Sequence, residues 1–188
     1  MRQRGFTVVE LAIVIVIVAI LLVLATVSFR GLQQRAEDKE RDADVQAIAA
    51  YLESIYPREI RSSTGQLLKP AGSYPSREWL YPHTKAAFDV IFAGIEPSAL
   101  IAPGAGGAMS LYPSQNHYTA DNITMANILP RDRLDGASTY LYLPLVNERG
   151  RPCVNTAAGQ ECRMFQIYYR LKGGPGGGEY KLIESRHR

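Results

Sequence analysis

An α+β fold, with one long N-terminal helix packed on a small antiparallel sheet, follows from three features of the sequence. Leu11 to Phe29 is an uncharged, strongly aliphatic run. Leu32 to Tyr56 carries an apolar stripe at spacings of three and four, the helical signature. Three short segments near the C-terminus, Thr139 to Leu145, Met164 to Leu171 and Glu179 to Ser185, are rich in aromatic and aliphatic residues and read as strands of a meander.

The 188 residues leave room for one ordinary domain beside such a helix. With 46% hydrophobic and 21% charged residues the composition is that of a globular protein, which excludes disorder throughout. The formal charge of +3 falls to +1 once Arg2 and Arg4 are set aside, so overall charge gives no case for nucleic acid as a partner. Cys153 and Cys162, with eight residues between them, suit a local disulfide in an oxidising compartment better than a metal site needing about four ligands. Two free thiols are the alternative.

The nineteen residues from Leu11 to Phe29 are enough to cross a bilayer as a helix, for which roughly 17 to 25 are needed. Arg2 and Arg4 place the N-terminus in the cytoplasm and everything after Arg30 outside. A cleaved secretory signal with its cut near Ala25, or a plain single-pass anchor, would share this composition. Neither requires Glu10, a carboxylate at the head of an apolar helix, a residue type that is usually paired or functional in that setting.

The order Arg4-Gly5-Phe6-Thr7-Val8-Val9-Glu10-Leu11, followed by the aliphatic run, resembles the class III signal of type IV prepilins. The resemblance implies a type IV pilin-like fold and a cut by prepilin peptidase between Gly5 and Phe6. It also implies N-methylation of Phe6 and retention of the apolar segment. Its organisation would be a leader at 1–5, a transmembrane and filament-core helix at 6–30, an amphipathic continuation at 31–57 and an extracytoplasmic head at 58–188. Before assembly such a chain is a single-pass inner-membrane protein in contact with lipid. It then polymerises with other copies into an extracellular pilus, driven by a platform protein and an assembly ATPase, for adhesion, motility or DNA uptake. A type II secretion pseudopilin carries the same N-terminus and is the alternative.

Cleavage would free an α-amine on Phe6, four residues from Glu10 on the same helical face. In filaments of this family the glutamate meets the amine of a neighbouring subunit, which assigns Glu10 to assembly and axial register. Pairing with its own Phe6 amine, or protonation in lipid, would be the local alternatives. The chain departs from many major pilins in having no Gly or Pro between Phe6 and Phe29, so Gly31 is the one weak point of an otherwise continuous helix from Phe6 to Tyr56, about 76 Å long at 1.5 Å per residue.

The charged run Arg35 to Asp44, including Glu37 and Arg41 at helical spacing, reads as a solvated face, with filament contacts as the alternative. Pro57 stops the helix. Turn signals dominate Arg58 to Gly136, with a short helix predicted at Lys85 to Ile95, and Gly173 to Gly178 forms a flexible tip between the last two strands.

No catalytic constellation is visible, and neither a cofactor nor a metal is expected. His83, His117 and His187 stand far apart. The Gly104 to Gly107 stretch lacks the other marks of a dinucleotide loop, and Asp132, Asp135 and Gly136 lack the ligand series of a calcium loop. Tyr140, Tyr142, Tyr168, Tyr169 and Tyr180 are expected to divide between core and surface. With Arg186 and Arg188 the exposed ones would suit single-stranded DNA, against the plainer reading of a solvated basic tail.

Overall fold

A computed structural model describes residues 7–80, 85–113, 138–147, 151–154, 161–173 and 178–187, without the side chains of Val27 and Ser28. The chain divides into two compact units, Met1–Glu37 and Asp38–Arg188. Helix α1 (Val8–Ile55) runs for 48 residues and includes Gly31. Two-residue β1 (Ile60–Arg61) pairs antiparallel with β2 (Leu67–Lys69). Short helix α2 (Lys85–Ile91) follows, then β3 (Leu111–Pro113), β4 (Tyr140–Leu145), β5 (Met164–Arg170) and β6 (Tyr180–Glu184).

The first unit is carried, among its described residues, by the N-terminal part of α1. Its aliphatic side chains range from 48% exposed at Val18 to 85% at Val8, so the chain supplies no cover of its own for them. Among the described residues this is the one helix long and apolar enough to cross a membrane.

The second unit is a four-stranded sheet in the order β3-β4-β5-β6, with the C-terminal part of α1 in its core. The three predicted strands are antiparallel neighbours in sequence order, with Tyr140 opposite Tyr169 and Ile167 opposite Ile183. The predicted stripe is the buried face of the helix: Val45, Ile48, Ala49, Leu52 and Ile55 join Tyr140, Tyr142, Phe165, Ile167 and Tyr169 in one core. The short edge strand β3 pairs parallel to β4 and was not anticipated, because three residues ending in proline carry no readable period. The helix predicted at Lys85 to Ile95 stops at Ile91 and closes with a turn in which Ile95 N–H donates to the Phe92 carbonyl at 3.2 Å.

The strand tyrosines correct the expectation of a split between core and surface. Tyr140, Tyr142, Tyr168 and Tyr169 are all buried, and Tyr180 is half-buried. Alternation does place them on two faces, but the second face is also apolar. Leu141, Leu143, Leu145, Met164 and Tyr168 form a separate buried cluster there, with Tyr180 packed against it. A stacking platform for DNA built on these rings is therefore absent, since four of the five are closed to solvent.

Two local devices hold the unit together. Cys153 and Cys162 form the predicted disulfide, buried beside Tyr74, whose N–H donates to the Cys162 carbonyl at 2.7 Å. A closed loop of this size stabilises by about 2 to 3 kcal/mol in the loop-entropy account.

At the end of α1, buried Lys69 donates through Nζ to the carbonyls of Tyr56, Arg58 and Pro70 at 3.1, 2.6 and 2.9 Å. Burial, with the Arg58 guanidinium adding to it, pushes this ammonium down to about 8. The acceptors and the negative end of the helix favour its charged form. Lys69→Met would keep the volume and remove every donor. We expect it to destabilise the unit by about 2 to 4 kcal/mol, read from chemical denaturation of the detergent-solubilised chain, because three part-buried carbonyl contacts lose their donor at once.

Candidate functional site

The start of α1 is built by two residues. Leu11 N–H donates to the Thr7 carbonyl at 3.2 Å, the first helical bond, which makes Thr7 the N-cap. Thr7 Oγ1 accepts the Glu10 N–H at 3.3 Å, while the Thr7 N–H and hydroxyl donate to Glu10 Oε2 at 2.7 and 2.9 Å. This is a reciprocal capping box, and the Thr-x-x-Glu spacing that signals it was present in the sequence. Glu10 is thus held in place by its own helix, and both of its described contacts fall on a single carboxylate oxygen. Gly5 and Phe6, the expected positions of cleavage and methylation, lie outside the described residues.

The charged run that follows is only in part a solvated face: Arg35, Lys39 and Glu40 are exposed, whereas other members turn inward. Arg41 is fully buried and pairs with Asp38 at 3.0 Å, while its Nη2 donates to the Pro103 carbonyl at 2.8 Å. The two oxygens of Asp38 accept the consecutive backbone amides of Lys172 and Gly173, each at 2.7 Å. A Cβ on Gly173 would lie 2.9 Å from Asp38 Oδ2, so any larger residue there would have to push that carboxylate aside. Asp42 accepts the Tyr169 hydroxyl at 2.8 Å and faces Lys181 Nζ at 3.2 Å, and Asp44 accepts the Tyr140 hydroxyl at 2.7 Å. The run is in part a polar seat that fixes the helix against the sheet. Asp38 and Arg41 continue the apolar stripe of Val45, Ile48 and Leu52 by two further turns, and that is the signal the charge pattern concealed.

This seat perturbs its titratable groups. Burial pushes the Tyr140 and Tyr169 phenols well up, and donation to Asp44 and Asp42 adds to it. Burial drives Tyr142, inside the core, well up, with Tyr74 adding to it, and burial raises Tyr168 to about 12, with the Glu184 charge adding to it. Asp44 is raised by burial, against the opposing hydrogen bond from Tyr140.

A capped apolar helix with an acid in its first turn, uncovered by its own chain, directs attention to the N-terminus as the region that carries function. Residues 1–26 match the prokaryotic N-terminal methylation motif. This motif is the class III prepilin signal of type IV pilins and pseudopilins, and it marks the chain as a pilin-like or pseudopilin-like substrate of prepilin peptidase. The match ends at Thr26, inside α1. No curated protein and no solved structure matches the chain.

Families bearing the prepilin signal are structural rather than enzymatic in general, and the apolar helix beneath it is that of a single-pass membrane anchor. Among the described residues no group of three His, Cys, Asp or Glu is placed to hold a metal. His83, His117, Asp132, Asp135 and Gly136 lie outside the described residues, whereas His187 sits against Glu53, with Nε2 3.3 Å from the carboxylate.

Proposed function

We propose that this protein is a type IV pilus subunit, cut by prepilin peptidase between Gly5 and Phe6, N-methylated on Phe6 and polymerised into a surface filament. Residues 1–5 are the leader, 6–30 the membrane and filament-core helix, 31–57 its amphipathic continuation and 58–188 the extracytoplasmic head. Copies of the chain, the platform protein and the assembly ATPase are its partners, and the polymer serves adhesion, motility or DNA uptake. One observation carries the reading: the prepilin signal leads directly into a helix whose aliphatic side chains its own chain leaves bare. Apolar surface on that scale needs lipid before assembly and sister helices after it.

The cut site is tested by Gly5→Leu. The precursor should retain its five-residue leader, visible in the intact mass, and normal trimming would remove the assignment. Glu10 is tested by Glu10→Ala in cells that assemble the filament. Insertion and trimming should persist while sheared filament falls about tenfold or more, because a neighbour's amine would be left unpaired in a low-dielectric core. Wild-type yield on an immunoblot of the sheared fraction would rule out the register role.

A further inference from the structure

Two loops meet where α1 enters the Asp38–Arg188 unit. Asp38, the first residue of the unit, accepts the amides of Lys172 and Gly173, and Arg41, one turn further on, holds the Pro103 carbonyl at 2.8 Å. The loops also meet each other, because a Cβ on Gly104 would lie 3.5 Å from Lys172 Nζ.

The first of these loops, Pro103 to Met109, carries no charge, yet it is firmly built. Its base is pinned by Ser110, whose N–H donates to the Leu100 carbonyl at 2.7 Å and whose Oγ accepts the Ala102 N–H at 2.8 Å. Two turns follow one another inside it, with Ala105 N–H donating to the Ala102 carbonyl at 3.0 Å and Ala108 N–H to the Ala105 carbonyl at 3.1 Å. Gly104, Gly106 and Gly107 adopt φ of 85°, 63° and 83°, so the chain doubles back with only hydrogen atoms on its crest. What the loop displays is apolar: Ala108 and Met109 are exposed beside bare glycine backbone, Met109 to 37%. A loop that only met water would have no use for an ordered, uncharged crest of this kind.

The position along the chain supplies the partner. Asp38 lies eight residues beyond Arg30, the first charge after the aliphatic run. Eight helical residues reach at most about 12 Å, and the headgroup layer outside the hydrocarbon is roughly 5 to 7 Å deep. Loops bonded to Asp38 and Arg41 are therefore within reach of phospholipid headgroups. Exposed Lys39 and Lys172 are matched by exposed Glu40 and Glu179, so the contact neither repels phosphate nor depends on anionic lipid.

We propose that the Pro103–Met109 loop is a lipid-facing pad, on which Ala108 and Met109 lie against the headgroups of the bilayer that α1 spans while the Lys172 ammonium meets a phosphate. Apolar side chains at the headgroup boundary with a lysine at the margin are what an interfacial contact uses. The pad rests on the reading of α1 as a membrane anchor, and it stands equally for a pilus and for a pseudopilus subunit.

The test places bimane on Met109→Cys and, as reference, on Leu67→Cys in the full-length chain, whose own cysteines are joined and buried. Leu67 is exposed and lies two residues from Lys69, which bonds the Tyr56 carbonyl beyond the far end of α1. Each labelled chain is held singly in a phosphatidylcholine nanodisc in which a fraction of the lipid carries a nitroxide on its headgroup. Quenching at position 109 should exceed that at 67 about threefold or more, and Ala108→Glu, which sets a charge in the pad, should lower it by about half while leaving 67 unchanged. Equal quenching at the two positions overturns the pad, and so does an Ala108→Glu chain quenched like its parent. A label at 109 that escapes quenching in the nanodisc but becomes shielded in assembled filament gives the loop to a neighbouring copy, which overturns it too. Recovery of the chain in the nanodisc fraction reports on the anchor by itself, so failure of the pad and failure of the anchor are told apart.

Discussion

Alkali should unfold the Asp38–Arg188 unit cooperatively between about pH 10.5 and 12, well before backbone chemistry intervenes, because the unit buries several phenols. Tyr74, Tyr140, Tyr142 and Tyr169 are each held well above the ordinary phenol range, first by burial and, for three of them, by carboxylates that accept a hydrogen bond from the neutral hydroxyl. A phenol in the unfolded chain ionises near pH 10. The sign follows from the raised folded values: this stability is fully present below about pH 10 and is lost as pH rises above it, because the unfolded chain then binds fewer protons. Each phenol contributes a slope of about 1.4 kcal/mol per pH unit, so four together exceed the stability of an ordinary domain within about two to three units. Tyrosinate absorbance near 295 nm should appear in one step with loss of near-ultraviolet circular dichroism. Gradual ionisation ahead of unfolding would show that the rings are open to water.

Replacing Arg41 by leucine should destabilise the same unit by about 3 to 5 kcal/mol, the range for breaking a buried ion pair from one side. The guanidinium is fully buried and joins Asp38 to the Pro103 carbonyl, so its loss leaves both with one partner fewer. Two controls separate this from simple loss of bulk. Lys39→Leu, two residues away on the opposite, exposed side of the helix, should change the denaturation midpoint little. Asp38→Asn should weaken the pairing with Arg41 while keeping an oxygen for one of the two amides, and should fall between wild type and Arg41→Leu. An Arg41→Leu variant as stable as wild type would mean that the pair is offset by its own desolvation.

What the sequence disclosed and what it hid divide by distance along the chain. Local periodicity was sufficient for α1, for the stripe from Val45 to Ile55 and for β4, β5 and β6, since each is a property of neighbouring residues. Cys153 and Cys162 were legible because their separation is short. The polar seat was hidden because its partners are remote: Tyr140 is 96 residues from Asp44, Tyr169 is 127 from Asp42 and Lys172 is 134 from Asp38. A run of mixed charge ordinarily faces water, and only the sheet that meets it reveals which charges turn inward. The same limit applied to Lys69, whose carbonyl partners depend on how the chain turns after Pro57. At the N-terminus the Thr7-x-x-Glu10 spacing was equally local, yet the cap went unread because Glu10 was assigned to assembly alone.

Helices seated by grease alone can rotate or slide by fractions of a turn with little penalty, because aliphatic contacts are not directional. Phenol-to-carboxylate and guanidinium-to-carbonyl contacts are directional, and a rotation of one residue would break those at Asp38, Arg41, Asp42 and Asp44 together. The angular setting of the helix beneath the sheet therefore rests on a handful of side chains within two turns, Asp38 to Asp44. Substitutions elsewhere on the outer surface leave that setting alone, so the exposed loops of the unit can vary without turning the helix beneath them.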